Sequence, residues 1–262
     1  MHEKRGRAAM AGAADIRIGT SGFYYEHWIG RCYPAGIDKH ELLPFYARHF
    51  GTVEINSTFY HLPRQRSVEH WRDAVPEDFR FALKAYRGIT HYKKLAEARA
   101  ELLAFLHLVK PLKPKLGVLL FQLPPSLERD DHLLDDFLTS LPAGYRCAFE
   151  FRHPSWLDDA VFALLQRHGA AFCINDFDGR MTPWTVTAPF AYVRLHGPQG
   201  RYRGRYDDMQ IAALCDTLAG IAAEGREVFC YFNNDMEGFA WENARMLQAG
   251  CAAQAVRNAS RE

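Results

Sequence analysis

The residues best suited to chemistry lie in the stretch Phe190–Gly197. Its composition favours a β-strand, and strand side chains alternate between two faces. Tyr192, Arg194 and His196 therefore share one face, opposite two aliphatic residues. An arginine binds carboxylate or phosphate in a planar, bidentate manner, and histidine titrates near neutral pH. This face predicts anion binding coupled to proton transfer.

Other predicted strands of the chain also end in polar or ionisable residues after an apolar run. Buried ionisable groups cost on the order of several kcal/mol unless they are paired, so such an accumulation indicates a shared site. The candidate catalytic residues are Glu54, Glu150, Asp176 and His196. The candidate substrate-binding residues are Trp28, Asn56, Tyr60, Lys84, His91, Gln122, Arg152, His153, Arg194, Asn233 and Asn234.

Eight segments have the pattern of strands, and most are followed by a helical pattern. The predicted strands are Ile16–Gly22, Thr52–Tyr60, Arg80–Ala85, Leu116–Pro124, Cys147–Arg152, Ala171–Asp176, Phe190–Gly197 and Glu227–Asn234. Short αβ units in series require parallel strands, and eight of them predict a single (β/α)8 TIM-type barrel of the α/β class. An open doubly wound sheet is the competing topology. The sixth helix is expected to be short or irregular.

Helix boundaries follow from apolar periodicity and capping residues. We expect Ser155 to cap the helix after strand five, and Asp207 or Asp208 to cap the helix after strand seven. The last helix is expected to end near Gln248. In a barrel of this type, chemistry occurs where the strands end and the βα loops begin.

Several motifs, taken in their order along the chain, carry a family resemblance. They are Gly19-Thr-Ser-Gly22 with Trp28, Glu54-Ile-Asn-Ser-Thr-Phe-Tyr60, Lys84 with Ile89-Thr-His91, Phe121-Gln-Leu-Pro124, Phe149-Glu-Phe-Arg-His153 with Ser155-Trp156, Tyr192-Val-Arg-Leu-His-Gly197 and Tyr231-Phe-Asn-Asn-Asp235. Over residues 16–250 the chain resembles the YecE-like family, domain of unknown function seventy-two. The resemblance implies a TIM-type barrel. It supplies no reaction, because the family has no established one.

The leading hypothesis is an enzyme of hydrolase or isomerase type that acts on a small anionic or sugar-like, polyhydroxylated substrate. Lys84, Arg152 and Arg194 would hold negative charge. Glu54 or Glu150 would act as general base and His196 as general acid, while amide side chains would orient hydroxyl groups. Two simpler hypotheses remain: a non-catalytic small-molecule binding protein, or a salt-bridge network that merely fills the barrel.

Metal-assisted hydrolysis is a variant, in which Zn²⁺ or Mn²⁺ would bind carboxylates and imidazoles at the strand ends. The candidate ligands would be Glu54, Glu150, His153, Asp176 and His196. The chain has no HxH or HExxH spacing, and arginine and lysine among the candidates would repel a cation. We therefore assign no metal ligand, and the cofactor is left unknown.

Nucleic-acid binding, with or without nuclease activity, is the rival from another class. Its base-stacking residues would be Phe23, Tyr24, Tyr25, Trp28 and Trp184, and its phosphate contacts Arg87, Lys93, Lys94, Arg201, Arg203 and Arg205. Aromatic side chains and cations are the usual means of binding single strands. A formal net charge of +1 gives no global attraction to nucleic acid, so a small-molecule partner is favoured.

Composition indicates a globular protein without a membrane span. Hydrophobic residues make up 48% of the 262 residues and charged ones 24%, and no apolar run approaches a transmembrane length. The six cysteines form no CxxC pair, so a reducing cytoplasm is expected. We expect a disordered leader at 1–14, the barrel at 15–250 and a tail at 251–262. The oligomeric state is left open.

Overall fold

A computed structural model describes residues 15–259, and the expected leader at 1–14 lies outside the described residues. Within that range the strands are β1 Ile16–Thr20, β2 Thr52–Ile55, β3 Arg80–Lys84, β4 Leu116–Gln122, β5 Cys147–Glu150, β6 Ala171–Asn175, β7 Phe190–Leu195 and β8 Glu227–Phe232. Their order is β1-β8-β7-β6-β5-β4-β3-β2. Every paired neighbour is parallel. Because sequence neighbours lie side by side all the way round, the sheet is the predicted barrel and not a doubly wound sheet.

Helices surround this barrel. They are α1 Leu42–Ala47, α2 Ser57–Tyr60, α3 Gln65–Asp73, α4 Arg99–Val109, α5 Asp131–Ser140, α6 Asp159–Arg167, α7 Asp208–Ala223 and α8 Phe239–Ala259. As predicted, β6 is followed by a short 3₁₀ turn, Phe177–Gly179, and then by irregular chain up to β7. None of the helices in the described part of the chain is both long and apolar enough to cross a membrane.

Two helix ends differ from the prediction, and one agrees with it. Ser155 lies in a separate 3₁₀ turn, and α6 is capped by Asp158, whose carboxylate accepts the backbone N–H of Ala160 at 2.9 Å. The last helix continues past Gln248 to Ala259. Asp207 caps α7 as expected, with Gln210 completing a capping box.

Strand alternation separates two apolar layers. One face of each strand packs against the helices and forms the larger core, with residues such as Val53, Phe149 and Val193. The other face fills the lumen of the barrel with a smaller cluster, which includes Leu120 and Tyr192. The barrel is therefore packed solid in its middle, and only its two ends are open to chemistry.

The barrel closes between β1 and β2, where the chain forms a single bridge instead of a ladder. Ser21 pairs with Glu54, and the backbone N–H of Gly22 donates to the Glu54 carbonyl at 2.7 Å. Both groups lie at the C-terminal ends of their strands. The last contact that closes the barrel therefore lies at the end where chemistry is expected.

Lower in the same seam, the hydroxyl of Tyr46 from α1 replaces a backbone contact. It accepts the N–H of Thr20 at 2.9 Å and donates to the Thr52 carbonyl at 3.1 Å. The neighbouring Gly19 must be glycine, because a Cβ there would lie 2.2 Å from the Thr52 oxygen. A phenol thus joins two strands that approach closely without pairing.

At the N-terminal end of the barrel, charged side chains form a plug. Arg17 and Arg146 both donate to Glu227, and Arg146 also lies 4.9 Å from the Phe229 ring centroid. A cavity of about 370 Å³, lined partly by Arg226, and a second of about 110 Å³ lie at this end. Neither adjoins the polar strand ends. Barrels of this type do their chemistry at the C-terminal ends of the strands, so neither cavity lies where the functional site is expected.

Candidate functional site

Arg194 lies in β7, and its side chain points into the lumen, where it is the centre of the polar cluster. Its Nε lies 3.1 and 3.0 Å from the two carboxylate oxygens of Glu54, and its Nη2 donates to Glu54 Oε1 at 2.8 Å. Its Nη1 donates to Glu150 Oε2 at 2.5 Å. Burial alone would lower the pKa of Arg194, but the two carboxylates raise it well above its usual range. One guanidinium thus links β2, β5 and β7 across the barrel.

Glu54 has every acceptor position occupied. Besides Arg194, it accepts the hydroxyl of Tyr192 at 2.6 Å and the hydroxyl of Ser21 at 2.6 Å. The side chain is fully buried. A carboxylate that accepts this many hydrogen bonds is fixed in position beneath the guanidinium, with no lone pair directed at the solvent.

Glu150 lies between two guanidinium groups. Its second oxygen, Oε1, forms an ion pair with Nη2 of Arg152. Burial would raise the pKa of Glu150, but Arg152 and Arg194 outweigh it and hold this pKa well below the usual range. Glu150 therefore stays ionised and fixes the position of both cations.

Arg152 is the outer cation of this pair, and its side chain is only 7% exposed. Its guanidinium lies 3.5 Å from the ring centroid of Phe177. Its Nη1 has no hydrogen-bond partner within residues 15–259. An unpaired buried donor costs free energy, and such groups in a cleft mark candidate binding sites.

The ring of His196 lies just beneath Arg152. Its Nε2 is 3.3 Å from Arg152 Nη2, and its Nδ1 is 3.2 Å from Asn233 Nδ2. Burial, followed by the charge of Arg194, lowers the pKa of His196 well below its ordinary value. The imidazole is therefore neutral at physiological pH.

Asp176 positions the backbone around His196. It accepts the N–H of His196 at 2.5 Å and also the hydroxyl of Tyr206. The same Tyr206 hydroxyl accepts the N–H of Gly197 at 2.7 Å. Burial raises the pKa of Asp176, although the Tyr206 hydrogen bond opposes this. Asp176 thus organises the loop after β7.

Lys84, at the end of β3, has an unusual environment for a lysine. Its Nζ lies 4.0 Å from the ring centroid of Phe59. No hydrogen bond or ion pair of this ammonium group is found in the described chain. Burial, followed by the charge of Arg194, lowers the pKa of Lys84 to about 8.

His91 contacts the same aromatic ring, at 4.8 Å between ring centroids with Phe59. Its Nδ1 is 2.9 Å from the hydroxyl of Thr90. Burial and the charge of Lys84 lower the pKa of His91 to about 4. A neutral imidazole and a readily deprotonated amine thus contact the same phenyl ring.

Four further candidates lie around this cluster. Gln122 at the end of β4 is in register with Glu150, and Asn56 has a side-chain oxygen without a partner among the described residues. Tyr60 is 53% exposed at the rim. His153 begins the turn after β5, where its Nδ1 accepts the N–H of Ser155 at 3.3 Å.

The structure places Trp28 and Asn234 away from the cluster. Trp28 is fully buried, packs edge-on against Trp241, and donates its indole N–H to the Asp235 carbonyl at 2.9 Å. Asn234 donates to the Gly204 carbonyl at 2.8 Å and so joins two loops. The polar donors of both side chains are occupied within the protein.

Some contacts of the site escape the sequence-based candidates. Tyr192 could have been included, because strand alternation puts it on the same face as Arg194. Phe177 and Tyr206 lie in irregular segments, where no periodicity shows which side chains point inwards. Their contacts with Arg152 and Asp176 became apparent only in three dimensions.

The donor set does not suit the metal-assisted variant. Glu54 and Glu150 are already bound to guanidinium groups. Over residues 15–259 no three His, Cys, Asp or Glu side chains are grouped so that they could hold a metal ion. The two buried carboxylates that a metal would need are already paired with arginines.

Two of the arginines expected to contact nucleic-acid phosphates are paired with carboxylates of the protein. Arg201 forms an ion pair with Asp178 at 3.0 Å, and Arg205 forms one with Glu242 at 2.8 Å. Trp28 is buried and cannot stack on a base. These contacts favour a solvated loop structure for the basic segment.

Comparisons with known proteins agree with this architecture. A family model described as "Protein of unknown function DUF72" matches residues 17–262. YecE of Escherichia coli K12, a UPF0759 protein, is 38% identical over 112 residues, which cover 42% of this chain and 41% of YecE. YunF of Bacillus subtilis is 25% identical over 253 residues, covering 82% of this chain and 88% of YunF. The crystal structure of a DUF72 family protein from Thermotoga maritima gives a TM-score of 0.81 at 28% identity, over 90% of this chain and 98% of that one.

Proposed function

Because this chain belongs to the DUF72 family of proteins of unknown function, we propose its function from the site itself. It is an enzyme that binds a small anionic or polyhydroxylated substrate at the C-terminal face of its barrel and moves a proton on that substrate. The observation that carries the proposal is the unpartnered Nη1 of the buried Arg152, close to the unpaired Lys84.

The deep and outer layers of the cluster have different roles. In the deep layer, Arg194 is shared between Glu54 and Glu150, so these charges satisfy one another. In the outer layer, Arg152 and Lys84 still have donors to offer. An anion at the mouth would complete the pairing, since guanidinium and ammonium groups form strong charge-assisted hydrogen bonds with carboxylate and phosphate.

Neighbouring strands arrange these donors along one arc of the mouth. Lys84 ends β3, Gln122 ends β4, and Arg152 follows β5. Gln122 can hydrogen-bond a hydroxyl group between the two cations, and Asn56, directly after β2, offers an unpaired amide oxygen. This combination suits a substrate that carries both negative charge and hydroxyl groups.

This geometry favours a general acid and a general base other than the ones expected from the sequence. Glu54 and Glu150 hold the cations in place, and His196 is neutral and enclosed. Lys84 and His91 are closer to the mouth, and the pKa of Lys84, lowered to about 8, suits proton transfer near neutral pH. We assign proton transfer to this pair and positioning to the carboxylates.

Titration calorimetry with inorganic phosphate and with citrate tests the binding step. Arg152→Ala should weaken binding of at least one of these anions about tenfold or more, because a charge-assisted pair is lost. The matched control is Arg201→Ala, which removes an exposed cation outside the cluster and should leave binding unchanged. Equal affinities for the wild type and Arg152→Ala, with both variants melting normally, would contradict the proposal.

A screen with phosphatase, esterase, glycosidase and isomerase substrates tests catalysis. Activity that Lys84→Met and Arg152→Ala both abolish would support an enzyme. Anion binding that needs Arg152, without turnover of any substrate class, would instead support the non-catalytic binding protein. Activity that survives both substitutions would place the chemistry elsewhere.

A further inference from the structure

We propose that Lys84 forms an imine with the carbonyl group of its substrate, which makes the substrate an aldehyde or ketone that also carries a carboxylate or phosphate. The inference rests on the anion site of the proposed function. It adds a covalent step that anion binding and proton transfer do not require.

A comparison with Lys115 shows why Lys84 stands out. Both lysines are largely removed from solvent, but Lys115 donates to the carbonyls of Arg72 and Val75, each at 2.8 Å, and pairs with Glu77 at 3.1 Å. Its ammonium group is fully compensated. Lys84 has no such partner in the described residues and packs on an aromatic ring. An amine in this environment can lose its proton without breaking a hydrogen bond or an ion pair.

Charged groups on several elements surround Lys84. Arg194 from β7 and Arg152 from the end of β5 disfavour its protonated form, whereas Glu150 and Glu54 favour it. Burial is the largest effect, so Lys84 loses its proton more readily than an ordinary lysine, and a larger share of free amine is present near neutral pH. Desolvation next to another cation is a known way of activating a lysine as a nucleophile.

The step balances without an external oxidant or reductant. The lone pair of neutral Lys84 Nζ attacks the carbonyl carbon, and the C=O π electrons move to the oxygen, which takes up a proton. The nitrogen then loses a proton, the hydroxyl group gains one and leaves as water, and a C=N bond forms. Hydrolysis by the reverse route releases the amine.

His91 is placed to carry these protons. It contacts Phe59, the same ring that Lys84 covers, and Thr90 holds its Nδ1. Its other nitrogen has no partner in the structurally described range and can exchange protons with the substrate oxygen. Arg152 would hold the anionic group, so that the carbonyl carbon faces Lys84.

Trapping with borohydride tests the proposal directly. Purified full-length protein is mixed with glyoxylate, an anionic aldehyde, and sodium borohydride, which reduces the C=N bond to a stable secondary amine. Peptide mass spectrometry then measures labelling at each lysine. At neutral pH we expect Lys84 to be labelled at least tenfold faster than the exposed Lys39, with the rate rising through about pH 8. Lys115 is the buried control and should stay unlabelled.

Two variants separate the imine from simple anion binding. Lys84→Arg keeps the charge and removes the nucleophile, so labelling at position 84 disappears while the melting temperature stays close to that of the wild type. Arg152→Ala should slow labelling by glyoxylate much more than labelling by uncharged acetaldehyde, because only glyoxylate loses its anion contact, whereas both reactions feel the smaller effect of Arg152 on the protonation of Lys84.

If Lys84 were labelled no faster than Lys39, the proposal that Lys84 forms an imine would be overturned. If phosphate or citrate binding still depended on Arg152, the proposed function would survive that failure. Rapid trapping of acetaldehyde at Lys84 without any Arg152-dependent anion binding would indicate the reverse: an active amine, but no anion site.

Discussion

The two ends of the barrel use the same kinds of side chain for different purposes. At the N-terminal end, Glu227 accepts from both Arg17 and Arg146, and each arginine also donates to a backbone carbonyl. At the C-terminal end, Arg152 keeps an unpaired Nη1, and Lys84 has no charged partner within hydrogen-bond distance among residues 15–259. The paired arginines at the N-terminal end indicate a structural plug, whereas the unpaired donors at the C-terminal end indicate a binding site.

Solvent exposure strengthens this contrast. The side chains of Glu227 and Arg146 are 24% and 38% exposed, so water shares in their solvation. Glu54 and Glu150 are not exposed at all. An arginine–glutamate pair therefore contributes little to stability at the exposed end. At the buried end, removing one partner is strongly destabilising, because it leaves an uncompensated charge.

The largest expected effect comes from Arg194→Met. It would leave two buried carboxylates without their shared cation, so we expect the free energy of unfolding to fall by about 3–5 kcal/mol. Urea denaturation followed by circular dichroism measures this loss. If Arg194→Met were as mild as the matching substitution Arg146→Met, the contrast between the two ends would be wrong.

The second-largest expected effect is a difference between the wild type and Lys84→Met in how the free energy of unfolding depends on pH. Lys84 has a folded-state pKa lowered from 10.5 to about 8, so its protonated form destabilises the native state below pH 8. As pH rises from about 8 to about 10.5, the unfolded chain binds more protons than the folded one, and wild-type stability rises by about 3 kcal/mol. In Lys84→Met this contribution is absent.

Urea denaturation of the wild type and of Lys84→Met, each at pH 7 and at pH 10, measures this pH-dependent contribution to stability. The stability advantage of Lys84→Met over the wild type should shrink between these two values. The double difference cancels the titration of other lysines, tyrosines and cysteines. A difference that is constant with pH would show that Lys84 titrates normally.

Tyr192→Phe removes one neutral donor from Glu54 and keeps the ring. A hydrogen bond to a buried charged group contributes about 2 kcal/mol, so unfolding free energy should fall by roughly this amount. The phenylalanine keeps the contact with Tyr231, at 5.4 Å between ring centroids. An unchanged denaturation midpoint would mean that Ser21 and Arg194 satisfy Glu54 without it.

Arg146→Met should have the smallest effect. Its ion pair with Glu227 is partly exposed, which leaves about 1 kcal/mol or less, including its contact with Phe229. Anion binding at the other end should not change. A loss of phosphate binding in Arg146→Met would show that the two ends are coupled through the packed lumen.

Much of this architecture could be predicted from the sequence. Period-2 alternation in Phe190–Gly197 put Arg194 and His196 on the lumen face, and the series of αβ units gave the barrel. Strand ends such as Glu150 were correctly expected to converge, because parallel strands in a barrel all end at one face. These inferences depend on local patterns that do not need the tertiary structure.

Other features depend on tertiary contacts and left no local signal. Trp28 resembled an exposed stacking residue, but the helix α8 brings Trp241 against it and buries it completely. Phe177 follows β6 in an irregular segment, and only the folded chain shows it beneath Arg152. Which carboxylates keep free lone pairs also depends on partners distant in sequence, as with Ser21 and Glu54.

Glu54 has two tasks that a single motion would disturb together. Its carbonyl accepts the Gly22 N–H that completes the circle of strands, and its carboxylate anchors Arg194. If β1 and β2 part, the anchor shifts with them, so breathing of this seam and disorder of the central guanidinium are one event. In deuterium-exchange experiments, the exchange rate of the Gly22 amide should therefore report both how often β1 and β2 separate and how often Arg194 loses its fixed position.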